Sequence, residues 1–274
     1  MSAAAPVTRR PAVAGYYYPA ERTVLRDLVD ALARNGLGAI HAAAVLVPHG
    51  SFGRSGWIAG QTIARVTIPN RCIVLGPPHA SAGTGWHLMA EGAYRTPLGD
   101  TPIDAPFAAA LRARCPWLSV DASTHQGEHA IEVVVPFLQR LGPPQLRLVP
   151  LLVASEDPQE FAQFAHALAD LIREQAEPTL LIASSDLSQH QSAPRGALHD
   201  QMLLNDLERM DTASLTRRVK DDLMVMCGYG AAVCVLEAAR ALGASKVQRV
   251  AYGTSAASGG DPESVTGYAG LIVA

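Results

Sequence analysis

Two kinds of hydrophobic pattern alternate along the chain. Short continuous runs, AAAVLVPH (42–49), CIVLGPPH (72–79), QLRLVPLLVAS (145–155) and TLLIASSDLSQH (179–190), are rich in Ala, Val, Leu and Ile and stop at Pro or a polar cluster. Such runs suit strands covered on both faces of a parallel sheet, with a short buried helix as the alternative that periodicity alone leaves open. Between them the apolar residues recur at helical spacing. GWIAGQTIARV (56–66) carries Trp57, Ile58, Ile63 and Val66 and is long enough for the crossover that parallel strands need, so 42–79 reads as a βαβ unit with neighbouring strands.

Further helices are predicted from Glu21 to Arg34, with Asn35-Gly36 as the stop, near Pro106 to Arg114, and from Pro158 to Gln175. THQGEHAIEVVVPFLQRL (124–141) puts Ile131, Val134, Val135, Leu138 and Leu141 on one helical face, with Glu128 and His129 near its start. Pro136 there bends the helix or limits its first turn. Helical material from Leu198 to Asp222 leads to MCGYGAAVCVLEAARALG (226–243), and VQRVAYGTS and SVTGYAGLIVA are the last strands. TRRPAVAGYYYPA (8–20) reads as an irregular segment laid over the domain, and the stretch holding Gly83, Gly85, Gly92 and Gly99 as loops or short hairpins above the sheet. With no linker-like shift and no tandem repeat, the expectation is one α/β domain spanning 1–274: a mostly parallel or mixed central sheet with helices on both faces.

Composition narrows the function. At 274 residues and a formal charge of -3 the chain has room for an enzyme's core and lacks the overall basic footprint of a nucleic-acid binder. Its four cysteines, Cys72, Cys115, Cys227 and Cys234, form no C-x-x-C pair, which argues against a zinc ribbon or a disulfide framework and for a reducing compartment. The first residues lack the apolar core of a signal peptide, and no stretch reaches the roughly 18 apolar residues of a membrane span. A soluble, cytoplasmic protein is expected.

His49 and His79 stand alike, each just past an apolar run, where open α/β sheets gather ligands; the pair is a candidate metal site, and two unrelated loop histidines are the alternative. Cys227 stands at a helix start, where the dipole favours thiolate; a small buried hydrophobe is its bland reading. His125 and His129 are four apart without the H-E-x-x-H order, so a zincin is rejected, and His129 remains a candidate acid or base. Asp186 and His190 are candidates for orienting a ligand or handling a proton, a turn or N-cap role being the alternative for Asp186. No G-x-S-x-G, P-loop or post-strand G-x-G-x-x-G is present.

VPHGSFGRSG, LGPPH, YRTPLGD, EHAIEVVVPFL, SSDLS, CGYG and SVTGYAG, in this order from GYYYP near residue 15 onwards, resemble the Memo family, which includes the AmmeMemoRadiSam system protein B of bacteria and archaea. The resemblance implies a fold like that of the LigB-type class III extradiol dioxygenases. It implies a metal held by two histidines and a cysteine, here His49, His79 and Cys227, with His129 and Asp186 around the same cavity. Two neutral imidazoles and a thiolate leave Fe(II) with the net charge of the two-histidine, one-carboxylate site, so Fe(II) is favoured, with Cu(I) and Zn(II) as softer competitors. The implied activity is an oxygenase using O2 on a small phenolic or heteroaromatic substrate. The alternative is a non-catalytic copper or iron protein that partners AMMECR1-like and radical-SAM proteins, and a zinc hydrolase is a weaker third reading. The sequence departs from the family twice. Gln189 stands where a histidine is usual, with His190 one place later; in HGSFGRSG, Phe52 is kept and Arg54 replaces a second tyrosine. Phe52 and Arg54 are therefore the substrate-binding candidates, a solvated loop arginine being the other reading of Arg54.

Overall fold

The computed structural model describes residues 7–34, 37–80 and 84–274, so the expected Asn35-Gly36 stop and Gly83 lie outside the described residues. The strands in chain order are β1 (Thr8–Arg9), β2 (Ala44–Val47), β3 (Arg71–Gly76), β4 (Trp86–Leu88), β5 (Ala93–Thr96), β6 (Gly99–Pro102), β7 (Ser119–Val120), β8 (Arg147–Val153), β9 (Thr179–Ser184), β10 (Val247–Thr254) and β11 (Gly267–Val273). The helices are α1 (Arg22–Leu32), α2 (Gly56–Ile63), α3 (Ala105–Arg114), α4 (Val135–Leu141), α5 (Pro158–Gln175), α6 (Ala193–Glu208), α7 (Thr212–Lys220) and α8 (Tyr229–Ala241).

The apolar runs become the centre of an eight-stranded mixed sheet ordered β10-β11-β2-β9-β3-β8-β4-β7, in which β2, β9, β3 and β8 are parallel. Alternation within each run explains why all its residues are apolar. Leu46, Ile73, Leu75, Leu181 and Ala183 enter one core with α3, α5, α6, α7 and α8, while Val45, Val47, Val74, Leu180 and Ile182 enter the other with α1, α2 and α4. A strand buried on both faces has no polar side to show. The fold is the expected α/β class with helices on both faces.

Two local readings change. The expected neighbours β2 and β3 are separated by β9, which pairs with both. The helix expected to start near Glu128 and His129 starts only at Val135, with Pro136 in its first turn, so Glu128 and His129 lie in the irregular segment between the turns before it. Apolar spacing over 131–141 is real, but Pro136 has no N–H to give a preceding turn, and the residues before it are fastened by side chains instead.

Those fastenings tie the N-terminal segment beneath the turns. Arg9, fully buried, pairs with Glu132 and donates Nε to the His125 carbonyl at 2.9 Å and Nη2 to that of Glu128. Glu132 also accepts from Ala12 N at 2.8 Å, Val13 N at 3.1 Å and the Tyr18 hydroxyl. His125 is spent here as well, between the Tyr94 hydroxyl at 2.7 Å and the His87 carbonyl at 3.0 Å. No helix of the described residues is long and apolar enough to cross a membrane.

Removing one partner of a buried pair strands the other charge. Glu132→Ala is therefore expected to cost about 3–5 kcal/mol in denaturant unfolding; a loss under about 1 kcal/mol would show that Arg9 finds water or another acceptor there.

Candidate metal centre

Strand order decides what meets at the carboxyl edge of the sheet. Val47 pairs in register with Ser184, and Leu75 with Ala183, so β2, β9 and β3 end side by side. His49, Asp186 and His79 follow these ends within two or three residues, and the turns before α4 bring His129 alongside. One ligand nitrogen from each of His49, His79 and His129 lies within 4.8 Å of the others. Their ring centroids are 5.0 Å (His49–His79), 5.6 Å (His49–His129) and 4.5 Å (His79–His129) apart.

The partners of these rings aim their free nitrogens. Ser184 Oγ donates to the Ala130 carbonyl at 2.6 Å, so it must accept from His49 Nδ1 at 3.0 Å. Burial, reinforced by His79 and His129, lowers the His49 imidazole well below its ordinary pKa, which keeps it neutral with an open lone pair on Nε2. His79 Nδ1 stands 2.9 Å from a Glu128 carboxylate oxygen, which can only accept, so its Nε2 is likewise open. The same oxygen is 3.3 Å from His129 Nδ1, and burial lowers the His129 imidazole too. Burial alone would raise Glu128, but hydrogen bonds from the His79 ring and from the Ala130 and His79 amides outweigh it and hold the carboxyl at about 2. A carboxylate behind a histidine is a usual way to orient a metal ligand. The donor set thus fits a transition-metal ion.

Cys227 reaches the centre from the other side. Its Sγ is 3.2 Å from His49 Nε2, in contact with one histidine, and it lies outside the mutual reach of the three imidazoles. The sequence reading gave Cys227 the third ligand position and His129 a proton-handling role; the geometry puts His129 in the group of three. Residue 227 precedes the Gly228 N-cap of α8; burial, with Asp186 adding to it, pushes the thiol well above its ordinary value, and its Sγ lies within reach of both the His49 ring and, as donor, the Asp186 carbonyl at 3.8 Å. Gly228 permits this approach, since a Cβ there would come 2.5 Å from the Ser184 carbonyl oxygen.

The centre floors an open cavity of about 490 Å³. Tyr16, Tyr17, Arg54, Gln189, His190 and Tyr268 line its walls together with Asp186. Burial pushes the Asp186 carboxyl up to about 7 even though it accepts from the His49 and Gly50 amides. Its oxygen is 3.8 Å from His49 Nε2, but with a neutral ring this is no ion pair. His190, whose backbone is left-handed at φ 55°, lies in the wall beside Gln189. Phe52 does not line the cavity: 3% exposed, it packs on Tyr18 and Phe137 in the core, and its amide donates to the Tyr17 carbonyl at 2.8 Å. Sequence reasoning missed Tyr17, whose ring lies 4.8 Å from that of His129, and Tyr268. Their only sequence signals were an apolar YYY in a polar segment and a tyrosine in SVTGYAG.

Comparison with known proteins matches residues 9–272 to the family described as Memo-like protein. A MEMO1 family protein of Methanopyrus kandleri is 32% identical over 277 residues, covering 96% of this chain and 98% of that protein. One of Aquifex aeolicus is 32% identical over 265 residues, with the same coverage. Among solved structures, an uncharacterized protein of Escherichia coli K12 shares the fold at TM-score 0.57 and 14% identity, over 85% of this chain and 100% of that one. With the family pattern running through almost the whole length and the histidine cluster at the edge of its sheet, this chain belongs to the Memo-like protein family.

Proposed function

We propose that the cavity is the active site of a non-haem metalloenzyme, an Fe(II)-dependent oxygenase acting on a small phenolic or heteroaromatic substrate. One observation carries the reading: three imidazoles, two with their outer nitrogens already engaged, meet at the floor of a cavity wide enough for a substrate. Cavities of about 300–1,000 Å³ are ordinary for small-molecule sites. A bound Fe(II) would supply electrons to O2 and open positions for substrate. The chain's own part is to hold His49 and His79 through Ser184 and Glu128, with His129 completing the group of three, and to offer Asp186 and His190 for moving a substrate proton.

A second reading is a copper or iron protein without turnover, acting with AMMECR1-like and radical-SAM partners. The thiol of Cys227, 3.2 Å from His49 Nε2, favours it, because sulfur is the softer donor and suits Cu(I). Anaerobic Fe(II) loading followed by O2 uptake over a panel of phenols and heteroaromatics separates the two: substrate-dependent uptake supports the oxygenase, and tight Cu(I) binding with no uptake supports the second reading.

Metal analysis of variants then apportions the ligands. His49→Ala and His79→Ala are expected to lose most bound metal while staying folded, whichever ion is used. His129→Ala should cost more Fe(II) than Cys227→Ser, and the order should reverse for Cu(I); full retention in any variant removes that residue from the coordination sphere. Glu128→Gln can no longer accept every hydrogen bond that the carboxylate does, and is expected to weaken metal binding about 10–100-fold in chelator competition.

A further inference from the structure

One wall residue of the cavity, Arg54, carries a fixed positive charge and is exposed. Arg54 lines the cavity, and none of the ion pairs among the described residues includes it. The single carboxylate in the lining, Asp186, is turned to the backbone, accepting from the His49 amide at 2.9 Å and from that of Gly50. The remaining ionisable lining groups, apart from tyrosines, are the histidines. A metal ion on the floor would add to the positive field.

Tyr268 stands beside Arg54 in the lining. Its phenol carries an O–H that can donate to a bound anion. Gly50 makes room for this ring, since a Cβ there would come 3.0 Å from Tyr268 Cε1. A guanidinium and a phenol O–H side by side form a fork for a planar anion, and a lone guanidinium matches a carboxylate in two-point contact. At the rim Tyr16 is 88% exposed, an aromatic face with nothing upon it.

We infer that the substrate is an aromatic or heteroaromatic carboxylate, its carboxylate clamped by Arg54 with Tyr268 and its ring covered by Tyr16. This assignment rests on the cavity being the substrate site of the metalloenzyme proposed above. It also gives a use to the departure from the family pattern at position 54, where the chain carries a cation instead of a tyrosine.

The test uses two probes that differ in charge alone, 3,4-dihydroxybenzoate and 3,4-dihydroxybenzamide, titrated calorimetrically into the Zn(II)-loaded protein, where no oxidation intervenes. The expected result is at least a ten-fold preference for the benzoate, weakened by added salt. In Arg54→Gln the preference should fall to near one through loss of benzoate binding, with amide affinity and zinc content unchanged, and Arg54→Lys should keep part of it, having the charge without the planar fork. Equal binding of both probes by the unaltered protein, or equal weakening of both in Arg54→Gln, overturns the carboxylate assignment and leaves the metal-site reading standing. Failure of both probes to bind the zinc-loaded protein overturns both.

Discussion

Glu128 carries its charge at 1% exposure, and an ionised carboxyl survives such burial only when donors surround it. The donors are the His79 ring and amide and the amides of Ala80 and Ala130, at 2.9 Å for the ring, 3.0 Å for Ala80 and 2.8 Å for Ala130. Each belongs to the loop after β3 or to the turns before α4, the two segments that bring His79 and His129 together. The bonds that make the charge tolerable are therefore the bonds that fix a ring's tautomer and hold two segments in register. Glu132 repeats the arrangement four residues later, gathering Arg9, Tyr18 and two amides, so the N-terminal segment becomes part of the support and carries Tyr17 to the face of His129.

Much of this architecture is written in the sequence at the level of single elements. The runs ending at His49, His79 and Asp186 are legible because a strand covered on both faces has to be apolar at every position, and α5 appears at Pro158–Gln175 because its apolar period is unbroken and Asp157 caps it. Strand order is not legible in the same way. β9 separates β2 from β3, yet nothing in AAAVLV or CIVLG distinguishes a first neighbour from a second, since pairing is decided by backbone bonds that every apolar run offers equally. The usual adjacency of consecutive strands failed, and the failure had a functional consequence, because the inserted strand is what places Asp186 between the two histidines.

At the site itself, position was easier to read than chemical state. His49 and His79 could be placed because strand ends are predictable, and Cys227 because CGYG opens a helix. The protonation of Cys227 could not, since it follows from enclosure that only the folded chain creates: the dipole of α8 favours thiolate, while burial and the neighbouring Asp186 favour thiol, and the latter prevail. Phe52 was a wall candidate because the family resemblance keeps an aromatic at its place, but the loop turns it inward to pack on Phe137 at 4.7 Å between ring centroids. Tyr17 and Tyr268 come from segments more than two hundred residues apart, a relation that no local pattern encodes.

The state of Cys227 bears on how the centre chooses its ion. A metal that used both the Cys227 sulfur and His49 Nε2, 3.2 Å apart, would have to displace the thiol proton, so its binding there would be linked to pH. The three imidazoles leave a divalent ion with its full charge, which the buried Glu128 carboxylate behind His79 partly offsets. Exchange of one imidazole for thiolate lowers the charge by one and softens the site, so the proton on Cys227 stands between two electrostatic settings of one cavity. An ion with high affinity for sulfur can expel it, and one that prefers nitrogen leaves it in place. For the proposed metal, selectivity would then turn on which ion can deprotonate a buried thiol, more than on cavity size.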